Sequence, residues 1–231
     1  MSNTNEYSQM SKNTVSSKGQ MKFGESIFID NIDGKGKRVL FVGNSITLHD
    51  IRPSIGWPLY CGMAASSPEN DYVHIIKSRV SEQDDDAAFC VCQASVWERT
   101  YKENEPYKIY EPARDFDADI IIMRVIENCS AAEFDPEIFI EAYKEFIAYL
   151  DKSGKAKVIL TTGFWKHPGD EMIKKASTEL DYPYIYLGDL GEDDSMKAIG
   201  LFEHAGVAAH PGDKGMLAIA DRIWDNIKDR I

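Results

Sequence analysis

Three runs of almost unbroken aliphatic residues constrain this 231-residue chain more than any other feature: Val-Leu-Phe-Val at 39–42, Ile-Ile-Ile-Met at 120–123 and Val-Ile-Leu at 158–160. A strand with one wet face alternates apolar and polar side chains, so a strand that is apolar at every position is buried on both faces, as in a parallel sheet covered by helices. Strands are predicted at 38–43, 87–93, 119–126, 157–163 and 184–187. Helices are predicted at 70–82, 135–151, 170–180 and 213–229, the last with Met216, Leu217, Ile219, Ala220, Ile223, Trp224 and Ile227 on one stripe. This alternation gives an α/β protein, a three-layer α/β/α sandwich around a parallel sheet of about five strands. Residues 1–22, rich in Ser, Asn, Lys and Gln, read as a flexible leader, and 23–231 as a single domain.

Charge and hydropathy remove several function classes. A net charge of -12 without a Lys/Arg cluster works against binding to nucleic acid or an anionic membrane surface. A mean hydropathy of -0.36 and no apolar run of spanning length argue against a transmembrane segment. The first residues lack the basic start and apolar stretch of a signal peptide, so a cytoplasmic location is expected. The four cysteines, at 61, 90, 92 and 129, read as apolar fillers of a reduced interior, with a disulfide or redox role as the alternative. No metal and no cofactor is required, and oligomeric state is not readable.

In a parallel α/β sheet, ligands gather beyond the carboxyl ends of the strands. Four loops fall there: Gly43-Asn44-Ser45, 93–97, Glu127-Asn128 and 163–167. Ser45 sits on the turn that ends the first apolar run, and His210 heads His-Pro-Gly-Asp just before the last helix. A serine on a strand-to-loop turn with a histidine to take its proton is the arrangement of a serine hydrolase. Read alone, the Ser45 turn is also compatible with a plain tight turn or an anion-binding loop. His-Pro-Gly-Asp occurs a second time at 167–170, which makes His167 a rival base; the alternative for both copies is a helix entry in which Asp170 and Asp213 cap the first turn.

Gly43-Asn44-Ser45-Ile46-Thr47 resembles the Gly-Asp-Ser-(Ile/Leu)-Thr block of the SGNH/GDSL hydrolases. His210-Pro211 with Gly215-Met216 resembles their C-terminal histidine block, and the strand Asp-Ile-Ile-Ile-Met leading to Glu127-Asn128 is similar to their third block. The blocks cover residues 38–231 in the family's order. The resemblance implies a flavodoxin-like sheet and hydrolysis of small acyl esters, with acetyl groups on a carbohydrate or related metabolite as the expected instance. It further implies Ser45 as nucleophile, His210 as base, and an oxyanion hole formed by the Ser45 N–H, the Asn128 side-chain amide and, in place of the second-block glycine, the Ala94 N–H.

Three positions depart from the family pattern. Val207 stands where an aspartate usually orients the histidine; Glu203 is the first substitute, with Asp213 or a backbone carbonyl as alternatives. Ile126 replaces a glycine before Glu127-Asn128, and a β-branched residue there restricts the turn. Ala94 replaces the second-block glycine. These departures keep open a catalytically silent ligand- or carbohydrate-binding protein on the same scaffold, alongside a thioesterase or lipase-like acylhydrolase. Trp57, Trp97 and Trp165, in loops after strands, are candidate pocket walls or ordinary core cover, and residues 55–66 could frame the pocket. Arg124, inside a strand, is expected to pair with Glu98 or Glu127. His74 is expected on a helix face, with His49 flanking the nucleophile loop.

Overall fold

The computed structural model describes residues 26–103 and 107–231. The expected leader at 1–22 lies outside them. The predicted strands form, most of them shorter than expected: β2 (Arg38–Gly43), β3 (Ala88–Gln93), β4 (Ile120–Arg124) against 119–126, β5 (Lys157–Thr161) against 157–163 and β6 (Tyr184–Ile185) against 184–187. A further strand, β1 (Ile27–Asp30), makes the sheet six-stranded rather than about five-stranded. It pairs antiparallel with β3, from Ile27 opposite Cys92 to Asp30 opposite Phe89. Four residues, 27–30, carry no helical or alternating pattern long enough to announce a strand; pairing with the open edge of β3 decides it.

The order is β1-β3-β2-β4-β5-β6, with every pair parallel except β1·β3. Counting parallel strands alone, this is the 2-1-3-4-5 order of flavodoxin-like sheets, with the reversal between β2 and β4. Among the described residues seven helices accompany the strands: α1 (Tyr72–Gln83), α2 (Ser95–Thr100), α3 (Glu111–Asp115), α4 (Pro136–Leu150), α5 (Asp170–Leu180), α6 (Ala205–Ala208) and α7 (Asp213–Ile227). The four long ones match the predicted helices; the short α2, α3 and α6 fall below the length at which periodicity is readable.

Alternation along β2 shows how the layers form. Val39 and Phe41 face α1 and α7 in one buried cluster, while Leu40 and Val42 face α4 and α5 in the other. All four are fully buried, as the apolar run requires. Helix starts are set locally: the Asp135 carboxylate accepts from the N–H groups of Glu137 and Ile138 ahead of Pro136, and Asp71 accepts from the His74 N–H. The four cysteines are buried and free, and Cys90 and Cys92, two apart on β3, face the same side. No helix among the described residues is long and apolar enough to cross a membrane.

Candidate active site

Ser45 stands on the turn directly beyond β2, at the carboxyl edge beside the strand-order reversal. The N–H groups of Thr47 and Leu48 both donate to the Asn44 carbonyl at 2.9 Å, and Met63 N–H donates to the Ser45 carbonyl at 2.8 Å. Gly43 is required here, because a side-chain carbon at 43 would overlap the Thr47 hydroxyl. The turn therefore holds its serine against two anchored neighbours.

His210 comes from the other end of the chain and meets Ser45 side chain to side chain, Oγ to Nε2 at 2.9 Å. Its other ring nitrogen, Nδ1, lies 2.6 Å from the Gly206 carbonyl. A carbonyl only accepts, so Nδ1 carries the hydrogen and Nε2 presents its lone pair to the serine hydroxyl. The local backbone makes this carbonyl available. At the end of α6 the His210 N–H turns to Val207 rather than Gly206, at 3.0 Å, so the Gly206 carbonyl has no helical partner and takes the ring N–H. The Trp165 ring meets the imidazole edge-on, centroids 5.1 Å apart. Burial pushes His210 down to about 4 from its usual value near 6.5, against the smaller upward pull of the Gly206 bond.

The expected orienting acid is therefore not where it was sought. Glu203 is exposed, and Gly206 occupies the position at Nδ1 that Glu203 would need. Val207 is fully buried in an apolar cluster with Trp57, Cys61 and Met63, and as an apolar side chain on the cleft lining it offers the imidazole no acceptor. Asp213 binds the Ser66 N–H and hydroxyl at 2.8 and 2.6 Å, stitching α7 to the loop before α1 rather than capping its own helix. Asp170 likewise lies inside α5, with Gly169 at the cap, and accepts from the His167 N–H. His167 is apart from Ser45, its ring between the Cys129 carbonyl and the Gly169 N–H.

Beneath the serine lies a buried polar network that ties the family-like blocks together. Asn44, fully buried, donates from Nδ2 to Glu98 (2.9 Å) and to Glu127 (2.6 Å), and its Oδ1 accepts from Arg124 (2.6 Å). Arg124 pairs with Glu127 at 2.5 Å, as expected of a charge inside a strand, and its guanidinium lies over the Tyr72 ring. Glu98 takes the N–H of Ile126 and the Asn128 amide, both at 2.6 Å. Burial and the neighbouring Glu127 charge push the Glu98 carboxyl up. Burial alone would raise Glu127 too, but Arg124, the Phe164 N–H and Asn44 outweigh it and hold that carboxyl down.

This network explains how Ile126 is tolerated. Ile126 is not among the described residues with positive φ, so the turn needs no glycine. Its side chain fills space that Gly163 and Gly169 leave open; a side-chain carbon at those positions would sit 2.8 and 2.6 Å from it. Asn128 is held in place, with Nδ2 on Glu98 and Oδ1 accepting from Arg99 at 2.9 Å. That fixes the amide orientation and leaves one Nδ2 hydrogen for the cleft, which Asn128 lines together with Ser45 and His210. The Ser45 N–H has no acceptor among the described residues. Ala94 is different: its N–H donates to the Gly43 carbonyl at 2.5 Å and the residue is fully buried, so it has no hydrogen to offer an oxyanion.

The cleft itself has a volume of about 450 Å³, within the range of small-molecule sites. Its wall is rich in polar groups, among them His49, Arg52, Gln93, Arg99 and His204, with Ile55, Tyr60 and Met63 from the 55–66 segment. Of the three expected tryptophans, Trp57 and Trp97 are buried in the core, Trp97 stacked on Phe146 at 4.9 Å, and only Trp165 reaches the site. Trp97 moreover lies on α2 rather than in the expected loop. Of the holders considered for the His210 ring, the backbone carbonyl is the one present, though sequence reasoning could not say that it is Gly206; Glu98 was considered only as a partner of Arg124, and the acid within a turn of Ala94 was the signal for its wider part.

Neither a family model nor a curated protein matches the sequence. Solved structures share the fold. A two-domain esterase active on acetylated mannans has a TM-score of 0.52 and 15% identity over 86% of this chain and 50% of its own. A family two carbohydrate esterase from Clostridium thermocellum, solved with cellohexaose, has a TM-score of 0.57 and 14% identity over 84% of this chain and 64% of its own. Another from Cellvibrio japonicus has a TM-score of 0.56 at 15% identity, over 85% and 61%. This chain thus spans between half and two thirds of the length of these neighbours.

Proposed function

We propose that the protein is a serine ester hydrolase acting on small acyl esters of hydroxyl-rich alcohols, O-acetylated carbohydrates first among them. The observation that carries this is the Ser45–His210 pair at 2.9 Å with the imidazole oriented by the Gly206 carbonyl. The polar wall of the cleft suits a sugar-like alcohol, and of the neighbours of the same fold one is active on acetylated mannans and was crystallised with mannopentaose, another with cellohexaose.

In this reading His210 Nε2 takes the Ser45 proton as Oγ attacks the ester carbonyl. The oxyanion is met by the Ser45 N–H and the free Asn128 Nδ2 hydrogen, donors that the turn at 44 and the Glu98 clamp hold before substrate arrives. Collapse of the tetrahedral intermediate returns the proton from Nε2 to the departing alkoxide and leaves Ser45 acylated. Water, deprotonated by the same nitrogen, then releases the acid and restores the hydroxyl. The Gly206 carbonyl supplies orientation and the correct tautomer, the larger part of what an aspartate gives in a triad, without its negative charge.

The test is hydrolysis of p-nitrophenyl acetate and of O-acetylated glucosides by wild-type and Ser45→Ala protein, with mass spectrometry after a fluorophosphonate. Turnover lost by at least about a thousandfold in Ser45→Ala, with the adduct on Ser45, is expected. Folded protein without turnover or adduct would refute the proposal.

A further inference from the structure

Two guanidinium groups stand in the wall of the cleft without a carboxylate partner. Arg52 and Arg99 both line the cavity that contains Ser45 and His210. Among the described residues, Arg79, Arg124 and Arg222 pair with Asp221, Glu127 and Asp189; Arg38 and Arg114 rest on backbone carbonyls, and Arg52 and Arg99, which have no acidic partner either, are the arginines without one that line the cleft. In a chain with 38 acidic side chains against 26 basic ones, two unpaired arginines at one site are not explained by a shortage of acids.

Both come from anchored backbone. Arg52 exchanges backbone hydrogen bonds of 2.8 and 3.1 Å with Trp57, whose side chain is fully buried, and Arg99 lies on α2 with its guanidinium resting on Asn128 Oδ1 at 2.9 Å and Ser95 Oγ at 3.4 Å. Those contacts use one edge of the Arg99 fork and leave its other N–H groups free. Both side chains line the same wall as His49, whose proton affinity is lowered mainly by burial, with smaller lowering effects of Arg52 and Arg99 opposed by Asp50. The cleft wall holds one acid, Asp50, against the two guanidiniums, all three of them exposed to solvent.

We infer that the cleft binds an acyl ester whose alcohol half carries a carboxylate, an acidic sugar of the uronate kind, with Arg52 and Arg99 as the subsite that reads it. Guanidinium forks match the two oxygens of a carboxylate and are easier to desolvate than ammonium groups. The overall charge of -12 repels anions from the molecule, so local convergence of two arginines is what selection for an anionic substrate needs. This inference rests on the reading of Ser45 as the nucleophile of an ester hydrolase.

The experiment compares a mono-O-acetylated methyl glucoside with the corresponding methyl glucuronoside, identical except for the carboxylate. The glucuronoside is expected to show a kcat/KM at least about tenfold higher, mostly through KM, equivalent to about 1.4 kcal/mol, with the ratio shrinking as salt is raised. Arg52→Gln should cut that ratio several-fold and Arg52→Lys should restore part of it. Serine-dependent cleavage of both esters at equal rates, or a ratio untouched by Arg52→Gln, would overturn the subsite and leave the esterase reading standing. If neither ester is cleaved, the esterase reading falls. Calorimetric binding of unacetylated methyl glucuronoside against methyl glucoside then decides the subsite, and equal affinity overturns it.

Discussion

Replacing Asn44 by aspartate changes one side-chain NH₂ to an oxygen of the same size, and it restores the Gly-Asp-Ser spelling that the resembled family prefers. Pattern alone therefore predicts a neutral or helpful substitution; the structure predicts the opposite. Asn44 Nδ2 donates to two buried carboxylates, Glu98 and Glu127, while Oδ1 accepts from Arg124. Aspartate removes both donors and adds a third carboxylate within hydrogen-bond distance of the other two. Each hydrogen bond to a charged group contributes about 1.5 to 3 kcal/mol, so the loss is about 3 to 6 kcal/mol, of which a stronger bond from Arg124 returns about 1. A net destabilisation of about 2 to 5 kcal/mol is a large part of the roughly 5 to 15 kcal/mol available to a domain. The new carboxyl, buried among negative charges, would have its folded pKa raised above the unfolded value near 3.9. Its deficit therefore grows as pH rises from about 4 towards neutrality and shrinks on acidification. Urea denaturation of wild type, Asn44→Asp and Asn44→Ala at pH 5 and pH 7 measures this. An aspartate variant within about 1 kcal/mol of wild type at pH 7 would show that Asn44 is not the donor the network depends on.

Three further outcomes follow from the same geometry. Because burial holds His210 at about 4, the base stays neutral well below the usual histidine range, so kcat/KM should be level from pH 7 to about pH 5 and fall along a limb near 4; a limb near 6.5 would contradict that burial. The same shift lowers stability as pH falls from about 6.5 to about 4, where the unfolded chain binds a proton that the folded one does not. Val207→Asp, which restores the family's usual acid, should not raise activity: Val207 packs fully buried against Trp57 and Met63, so the variant should lose about 3 to 5 kcal/mol in a denaturation experiment. A faster, equally stable variant would mean that position 207 can turn towards the imidazole.

How much was legible in advance depends on whether the signal was local. The apolar runs at 39–42, 120–123 and 158–160 determined the parallel strands, because a backbone buried on both faces leaves no alternative to a covered sheet. The stripe from Met216 to Ile227 likewise determined its helix. Ser45, Asn128 and His210 could be picked out because their motifs sit beside those elements, and the sheet brings them to one edge. What sequence could not supply was decided by distance in the chain. The antiparallel edge strand at Ile27–Asp30 exists only because β3 offers a free edge. The partner of the His210 ring is a backbone carbonyl, the same atom in every residue type, freed by one tightened helical turn. Trp57 and Trp97 have the composition of a sugar platform, yet their large apolar surface is worth more in the interior than in the cleft. Whether Glu98 joins residues 44, 126 and 128 depends on three loops arriving together, and only the tertiary structure sets those distances.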